Sequence, residues 1–262
     1  MYCALIISGD ALSNVFTTDP IRIVVGILLA LIIGGLCGAL NGFFVGKFNL
    51  APILVTVATN QLFYGISIIL KKGGSVTGAP DNFIAFGADS LFNIIPYVFV
   101  LSLVCYILVA IFINKTSLGE EIKLHGSNRI ANLYSGCNNV RTVMISYIAS
   151  GLLSAVAGIV VYSKMGVARP DYGTSFLNMT LLIVLLSGAS MAGGFGKVAS
   201  LFVASLSVQV ISSGLTLGGF SPYFRQVSWG VLLLIVIVIN TEVFSRWIRA
   251  LRSRLKVKKS EA

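Results

Sequence analysis

Residues 21–45 read Ile-Arg-Ile-Val-Val-Gly-Ile-Leu-Leu-Ala-Leu-Ile-Ile-Gly-Gly-Leu-Cys-Gly-Ala-Leu-Asn-Gly-Phe-Phe-Val, with one charge, at the edge of the run. A hydrocarbon layer about 30 Å thick is crossed by about 20 apolar residues in a helix, which satisfies its own backbone polar groups. Similar runs recur near 50–70, 92–113, 143–163, 176–193, 198–217 and 223–245, with a half-length one at 1–9. This pattern predicts an all-α fold: a polytopic transmembrane helical bundle of about seven full spans plus a partial N-terminal one. The chain, 1–262, reads as a single transmembrane domain. Only 11% of its residues are charged, against about 25% in soluble domains, so lipid is the solvent this surface requires.

The net charge of +10 points to a membrane surface and not to nucleic acid, because of where the charge lies. Arg246, Arg249, Arg252, Arg254, Lys256, Lys258 and Lys259 crowd a basic tail, 246–262, directly after an apolar run. Positive-inside bias places that tail in the cytoplasm. Counting back through the spans puts loop 114–142, with Lys115, Lys123, Arg129 and Arg141, on the same side. The short turns near Lys47 and Lys197 also fall there, and loops 71–91, 164–175 and 218–222 face outward. Residues 1–9 lack the basic start of a signal peptide. Cys3, Cys37, Cys105 and Cys137 are scattered and read as small apolar fillers, with no metal or disulfide pattern.

No Asp, Glu, Lys, Arg or His lies well inside any predicted span; Arg22 and Glu242 sit at span ends. Intramembrane charge costs about 2.5–3.5 kcal/mol on insertion scales and is kept for function. Its absence argues against an ion-coupled carrier and for an energy source outside the chain. The spans hold small residues instead: Gly34, Gly35, Gly38, Ala39 and Gly42, then Gly151, Ser154, Ala155 and Gly158, a pattern of close helix packing. Asn41, Thr56, Thr59, Asn60 and Gln61 are neutral polar residues that either bond between helices or line a path for an uncharged, hydroxyl-rich solute. Enzymatic motifs are missing: no Walker loop, no Gly-x-Ser-x-Gly, and a lone His125 that reads as a solvated loop residue.

The polar segment 124–136, Leu-His-Gly-Ser-Asn-Arg-Ile-Ala-Asn-Leu-Tyr-Ser-Gly, stands apart. Ser127 or Asn128 can cap a short helix and Gly136 can end it in the left-handed region. Ile130, Leu133 and Tyr134 then share one face, with Arg129 and Asn132 opposite. Such a helix lies at the membrane surface, either as an ordinary interfacial element or as a docking knob for a cytoplasmic partner.

Three stretches in order carry a family resemblance. Gly119, Ile122, Gly126, Asn128, Ala131, Ser135 and Gly136 match, in register, a loop of the form Gly-Arg-x-Ile-x-Ala-x-Gly-x-Asn-x-x-Ala-Ala-x-x-Ser-Gly-Ile. Asn41-Gly42-Phe43-Phe44-Val45 followed by Pro52-Ile53-Leu54-Val55-Thr56 resembles Asn-Gly-x-x-Val and Pro-x-Ile-Val-Thr. Ser187 to Gly196 resembles Gly-Gly-x-Ser-Leu-x-Gly-Gly-x-Gly. These motifs resemble the permease subunits of bacterial ATP-binding-cassette importers for ribose, xylose, arabinose, galactosides and the autoinducer-2 signal. Asn132 and Cys137 depart from the loop pattern, and the chain looks shortened at its N-terminus relative to that family.

The resemblance implies a multi-pass protein of the bacterial inner membrane that moves a monosaccharide or small polyol, paired with a second permease subunit as a homodimer or heterodimer. It implies cytoplasmic ATPase subunits that hold the ATP and Mg, with no cofactor on this chain, and an extracytoplasmic sugar-binding protein. Loop 114–142 becomes the coupling loop, with Asn128, Arg129, Ile130, Ala131, Leu133, Tyr134 and Gly136 meeting the ATPase. Ile130, Leu133 and Tyr134 would be the face buried there, with Arg129 at its rim. Asn41, Thr56, Asn60 and Gln61 become candidates for the substrate path, and Gly193, Gly194 and Gly196 for a tight turn or helix break. The alternatives are a secondary carrier or channel for a small neutral solute, and a scaffold that transports nothing.

Overall fold

The computed structural model describes residues 19–72, 74–91, 95–190 and 193–240. Its helices are α1 (Asp19–Phe48), α2 (Pro52–Lys71), α3 (Asp81–Ala88), α4 (Tyr97–Lys115), α5 (Ser117–Ser127), α6 (Arg129–Tyr134), α7 (Asn139–Met165), α8 (Tyr172–Leu186), α9 (Val198–Leu217) and α10 (Pro222–Asn240). A short antiparallel ribbon, β1 (Ser90–Leu91) with β2 (Ile95–Pro96), is the one sheet among the described residues. The chain divides into two compact units after Gly173.

Among the described residues, five stretches are long and apolar enough to cross a membrane: Ile21–Phe48, Pro52–Leu70, Tyr97–Lys115, Asn139–Met165 and Val198–Leu217. They coincide with five of the seven expected spans. Of the other two, 176–193 differs for a physical reason. The apolar part of α8, Phe176–Leu186, has 11 residues, and at about 1.5 Å per residue it is about half a bilayer long. The expected span 176–193 is cut short because the helix stops before Ser187 and the chain turns at Gly188, where φ is +71°. In α10 the apolar stretch runs Tyr223–Val238. The expected continuation at 241–245, the partial span 1–9 and the basic tail 246–262 lie outside the described residues.

The first unit is organised on an antiparallel seam between α1 and α7. Gly34, Gly38, Gly42 and Gly46 recur every fourth residue on α1 and meet, in descending order along α7, Ala155 and Gly151, then Tyr147, Met144 and Val140. A Cβ on Gly34 would stand 2.7 Å from the Ala155 Cβ, and one on Gly42 2.8 Å from the Met144 Cα. Added to Gly38 it would run into the Tyr147 carbonyl, and added to Gly151 into that of Gly34. In lipid there is little hydrophobic gain from pairing helices, so close backbone approach through small residues supplies the contact energy. Gly35 and Gly158, grouped with these in the sequence, stand outside the seam: Gly35 makes ordinary contact with Leu152, and nothing lies near Gly158. The outward faces follow the lipid rule. In α4 no residue is buried, and Phe99, Leu103, Ile107 and Ile111 are exposed at helical spacing.

The C-terminal end of α7 is capped by the segment before α4. Val76 and Ala168 exchange two backbone hydrogen bonds of 3.0 and 2.9 Å. Behind them Val76, Ala79, Phe83, Tyr162 and Ala168 form a buried cluster. The segments 74–91 and 166–171 thus share one end of α7, and α5 and α6 occupy the other.

Candidate functional site

At the N-terminal end of α7 the chain builds a small platform from three helices. The corner from α4 into α5 is made by Thr116, whose hydroxyl accepts from the Gly119 N–H at 3.1 Å while donating to the Phe112 carbonyl at 2.5 Å. Gly119 is buried there, and a Cβ on it would stand 2.6 Å from the Phe112 carbonyl oxygen. Glycine at this position lets α5 fold back onto the end of α4. Sequence reading treats 117–126 as loop; its residues lack a clear apolar stripe, and the helix is held by the Thr116 cap and the contacts described next.

Helix α6 follows after one residue. Asn128 caps it, its Oδ1 accepting from the Ile130 and Ala131 N–H groups at 3.0 and 3.1 Å, a capping bond typically worth about 1 kcal/mol. Gly136 follows it at φ +79°. Asn132 and the apolar trio Ile130, Leu133 and Tyr134 lie on opposite faces, as the spacing predicts. Asn132 is fully buried, while Ile130, Leu133 and Tyr134 are 67%, 61% and 88% exposed. The helix sits polar side down and apolar side out. Its physical reason is the bed beneath it, which is made of amides.

That bed centres on Asn139, in the first turn of α7. Its Oδ1 receives the Asn132 Nδ2 at 2.7 Å and lies 3.1 Å from the His125 Nδ1, which donates when it carries the ring proton. Its Nδ2 donates to the Arg129 carbonyl at 3.3 Å. His125 is therefore half-buried and bonded, in contrast to the solvated loop residue expected. Beside it, the buried Thr142 hydroxyl is shared between the Glu121 carboxylate at 3.2 Å and the Asn138 carbonyl at 3.1 Å. The Asn132 Oδ1 is buried without a partner among the described residues. Arg129 reaches away from the apolar face and donates to the side chain of Asn49, in the turn joining α1 to α2. Asn49 holds the left-handed region, φ +57°, which asparagine tolerates better than most residues. Sequence reading missed Asn139, Asn49, Glu121 and Thr142. The pair Asn138-Asn139 was the available signal: one amide caps α7, which leaves the second free for another task.

The other candidate residues lie apart from this platform. Asn41 is half-buried on α1, and its Oδ1 is buried with no hydrogen-bond partner among the described residues. Thr56 donates to its own helix, at the Pro52 and Ile53 carbonyls. Asn60 and Gln61 are exposed in the middle of α2. Gly193 and Gly194 take φ of +96° and +81° in a turn closed by a 2.9 Å bond from the Ser190 N–H to the Phe195 carbonyl. Gly196 follows with its α-carbon facing Ala189.

Comparison with known proteins gives this arrangement a family. The family model described as "Branched-chain amino acid transport system / permease component" matches residues 1–237. The chain is 27% identical over 237 residues to the D-allose transport system permease protein of Escherichia coli, covering 90% of this chain and 72% of that one. It is 30% identical over 202 residues to the ribose import permease protein of Bacillus subtilis, covering 76% and 62%. To the autoinducer 2 import system permease protein of Yersinia pseudotuberculosis it is 31% identical over 242 residues, covering 88% and 72%. The chain thus spans between 62% and 72% of the length of these relatives. No solved structure matches it. With long apolar helices, similarity to the ribose, D-allose and autoinducer 2 import permeases and a family match over nearly its whole length, this multi-pass membrane protein belongs to the family of transport-system permease components.

Proposed function

We propose that this chain is the membrane-spanning permease subunit of an ATP-binding-cassette importer in the bacterial inner membrane, moving a monosaccharide or similar small polyol. The observation that carries the reading is the inverted helix α6, with Ile130, Leu133 and Tyr134 turned outward from a bed of bonded amides. An exposed apolar cluster on a short, polar-seated helix fits the groove of a partner and not the aqueous phase. The partner is a cytoplasmic ATPase subunit, which supplies ATP and Mg. The platform and the basic tail face the cytoplasm, as the positive-inside bias supports. The opposite end of α7, with its Phe83 cap, faces the extracytoplasmic binding protein.

Asn60 and Gln61 support a neutral cargo. Two amides exposed mid-helix are costly against hydrocarbon, so they belong against protein or a wet path. A branched-chain amino acid would bring a carboxylate and an ammonium group, and the span interiors offer no opposite charge to either. A sugar needs only neutral donors and acceptors. A second permease subunit, whether a copy of this chain or a related one, completes the path, and Gly193, Gly194 and Gly196 let the chain turn at the membrane boundary.

The test is uptake into proteoliposomes holding the chain, its ATPase subunits and its binding protein. With radiolabelled ribose, D-allose and L-arabinose as probes, one sugar enters only when ATP is present on the ATPase side. Uptake driven by a proton or sodium gradient without ATP would support the secondary-carrier reading and end this one.

A further inference from the structure

A docked helix transmits force only if it is tied to what must move, and α6 is too short to be tied by packing. Its apolar residues point outward and only Asn132 is buried. Its attachment to the rest of the chain is polar, and it converges on one side chain. Asn139 accepts from Asn132 on α6 and is bonded to His125 on α5, while donating back to the Arg129 carbonyl where α6 begins. All three hydrogen-bonding positions of this amide that face the platform are used. Asn139 itself stands on α7, and α7 is the helix whose glycine-lined seam meets α1 backbone against backbone. A displacement at Asn139 therefore reaches α1 without passing through a flexible segment.

We infer that Asn139 is the positioning residue that couples the outward face of α6 to α7, making α5, α6 and the start of α7 move as one body. This rests on the proposed function above, since it presumes an ATPase docked on α6. The Asn139 side chain bonds the inner side of α6, opposite the exposed Ile130, Leu133 and Tyr134. Its loss must separate two quantities that a merely structural residue would lower together: ATPase binding and sugar transport per ATP hydrolysed. Connected hydrogen bonds also couple energetically, so their removals are non-additive. A demonstrated effect on both ends of the element, and not position alone, is what identifies a coupling residue.

The experiment uses the full chain with its ATPase subunits and binding protein, and the labelled monosaccharide that the unmodified complex takes up. Asn139→Leu keeps the branched shape and heavy-atom count of the side chain and removes its three hydrogen bonds. The expected result is ATPase co-purification within about twofold of the unmodified chain, with uptake per ATP hydrolysed down by about tenfold or more. Asn139→Asp keeps the acceptor for His125 and Asn132 and is expected to recover part of that ratio. If Asn139→Leu does not accumulate in membranes, His125→Phe, which withdraws one bond, is read by the same ratio. An unchanged ratio, or a parallel loss of ATPase binding and uptake with the ratio intact, overturns the inference. Leu133→Asp with Tyr134→Asp separates this failure from that of the functional reading. If that variant sheds the ATPase while Asn139→Leu leaves the ratio unchanged, only the coupling role is wrong.

Discussion

Replacing Leu133 and Tyr134 together by aspartate is expected to strip the ATPase subunit from the complex while leaving α6 folded. Both side chains are exposed in the free chain, at 61% and 88%, so two carboxylates there meet water and disturb no internal packing. The features that hold the helix are elsewhere: the Asn128 cap and the buried Asn132 amide. In the docked state the balance is different. Burying a leucine or an aromatic contributes about 1.5–3 kcal/mol each, and burying an unpaired carboxylate costs several kcal/mol more. A loss of about 4 kcal/mol or more corresponds to roughly a thousandfold in affinity. Affinity purification of the tagged chain from membranes reads this directly as ATPase recovered per permease. Equal recovery with the variant would contradict docking through this face.

The second large effect falls on the seam. Gly38→Ala is expected to destabilise the protein although alanine is the better helix former. A methyl group at Gly38 meets the Tyr147 carbonyl, which is backbone and cannot swing aside, and overpacking of this kind costs about 1–3 kcal/mol. Gly158→Ala is the matched control, since it lies in α7 with open space where the methyl would go. There alanine gains up to about 1 kcal/mol over glycine. The two variants should separate by about 1–4 kcal/mol in thermal or denaturant unfolding of the detergent-solubilised chain. Equal stabilities would mean that α1 and α7 have room to part, and that the seam is not the rigid connection described.

Much of this was legible in the sequence for identifiable reasons. Apolar run length set the five long helices, because the bilayer imposes a length that local chemistry does not blur. The limits of α6 were legible because caps are local: Asn128 bonds its own next residues, and Gly136 supplies a backbone angle. The span at 176–193 was harder, because composition alone does not show that a helix stops at Leu186 while Ser187 and Gly188 turn. Membership of Gly34 and Gly38 in a seam that omits Gly35 and Gly158 depends on which face α7 presents, a tertiary fact. The burial of Asn132 was not legible for a related reason. Polarity normally marks the wet side of a surface helix, but here the bed is polar, supplied by Asn139 and His125 from two other helices. No periodicity within six residues reports what lies underneath them.

The proposed function has the drive enter through the outward face of α6. Its most direct measurement is site-specific photocrosslinking in intact membranes, with a photoreactive amino acid in place of Tyr134 and, as the opposite-end control, in place of Thr77. The expected result is crosslinking to the ATPase subunit from position 134, with a yield that changes when ATP is bound, and none from position 77. An ATPase adduct from position 77, or its absence from position 134 in a complex that transports, would contradict it.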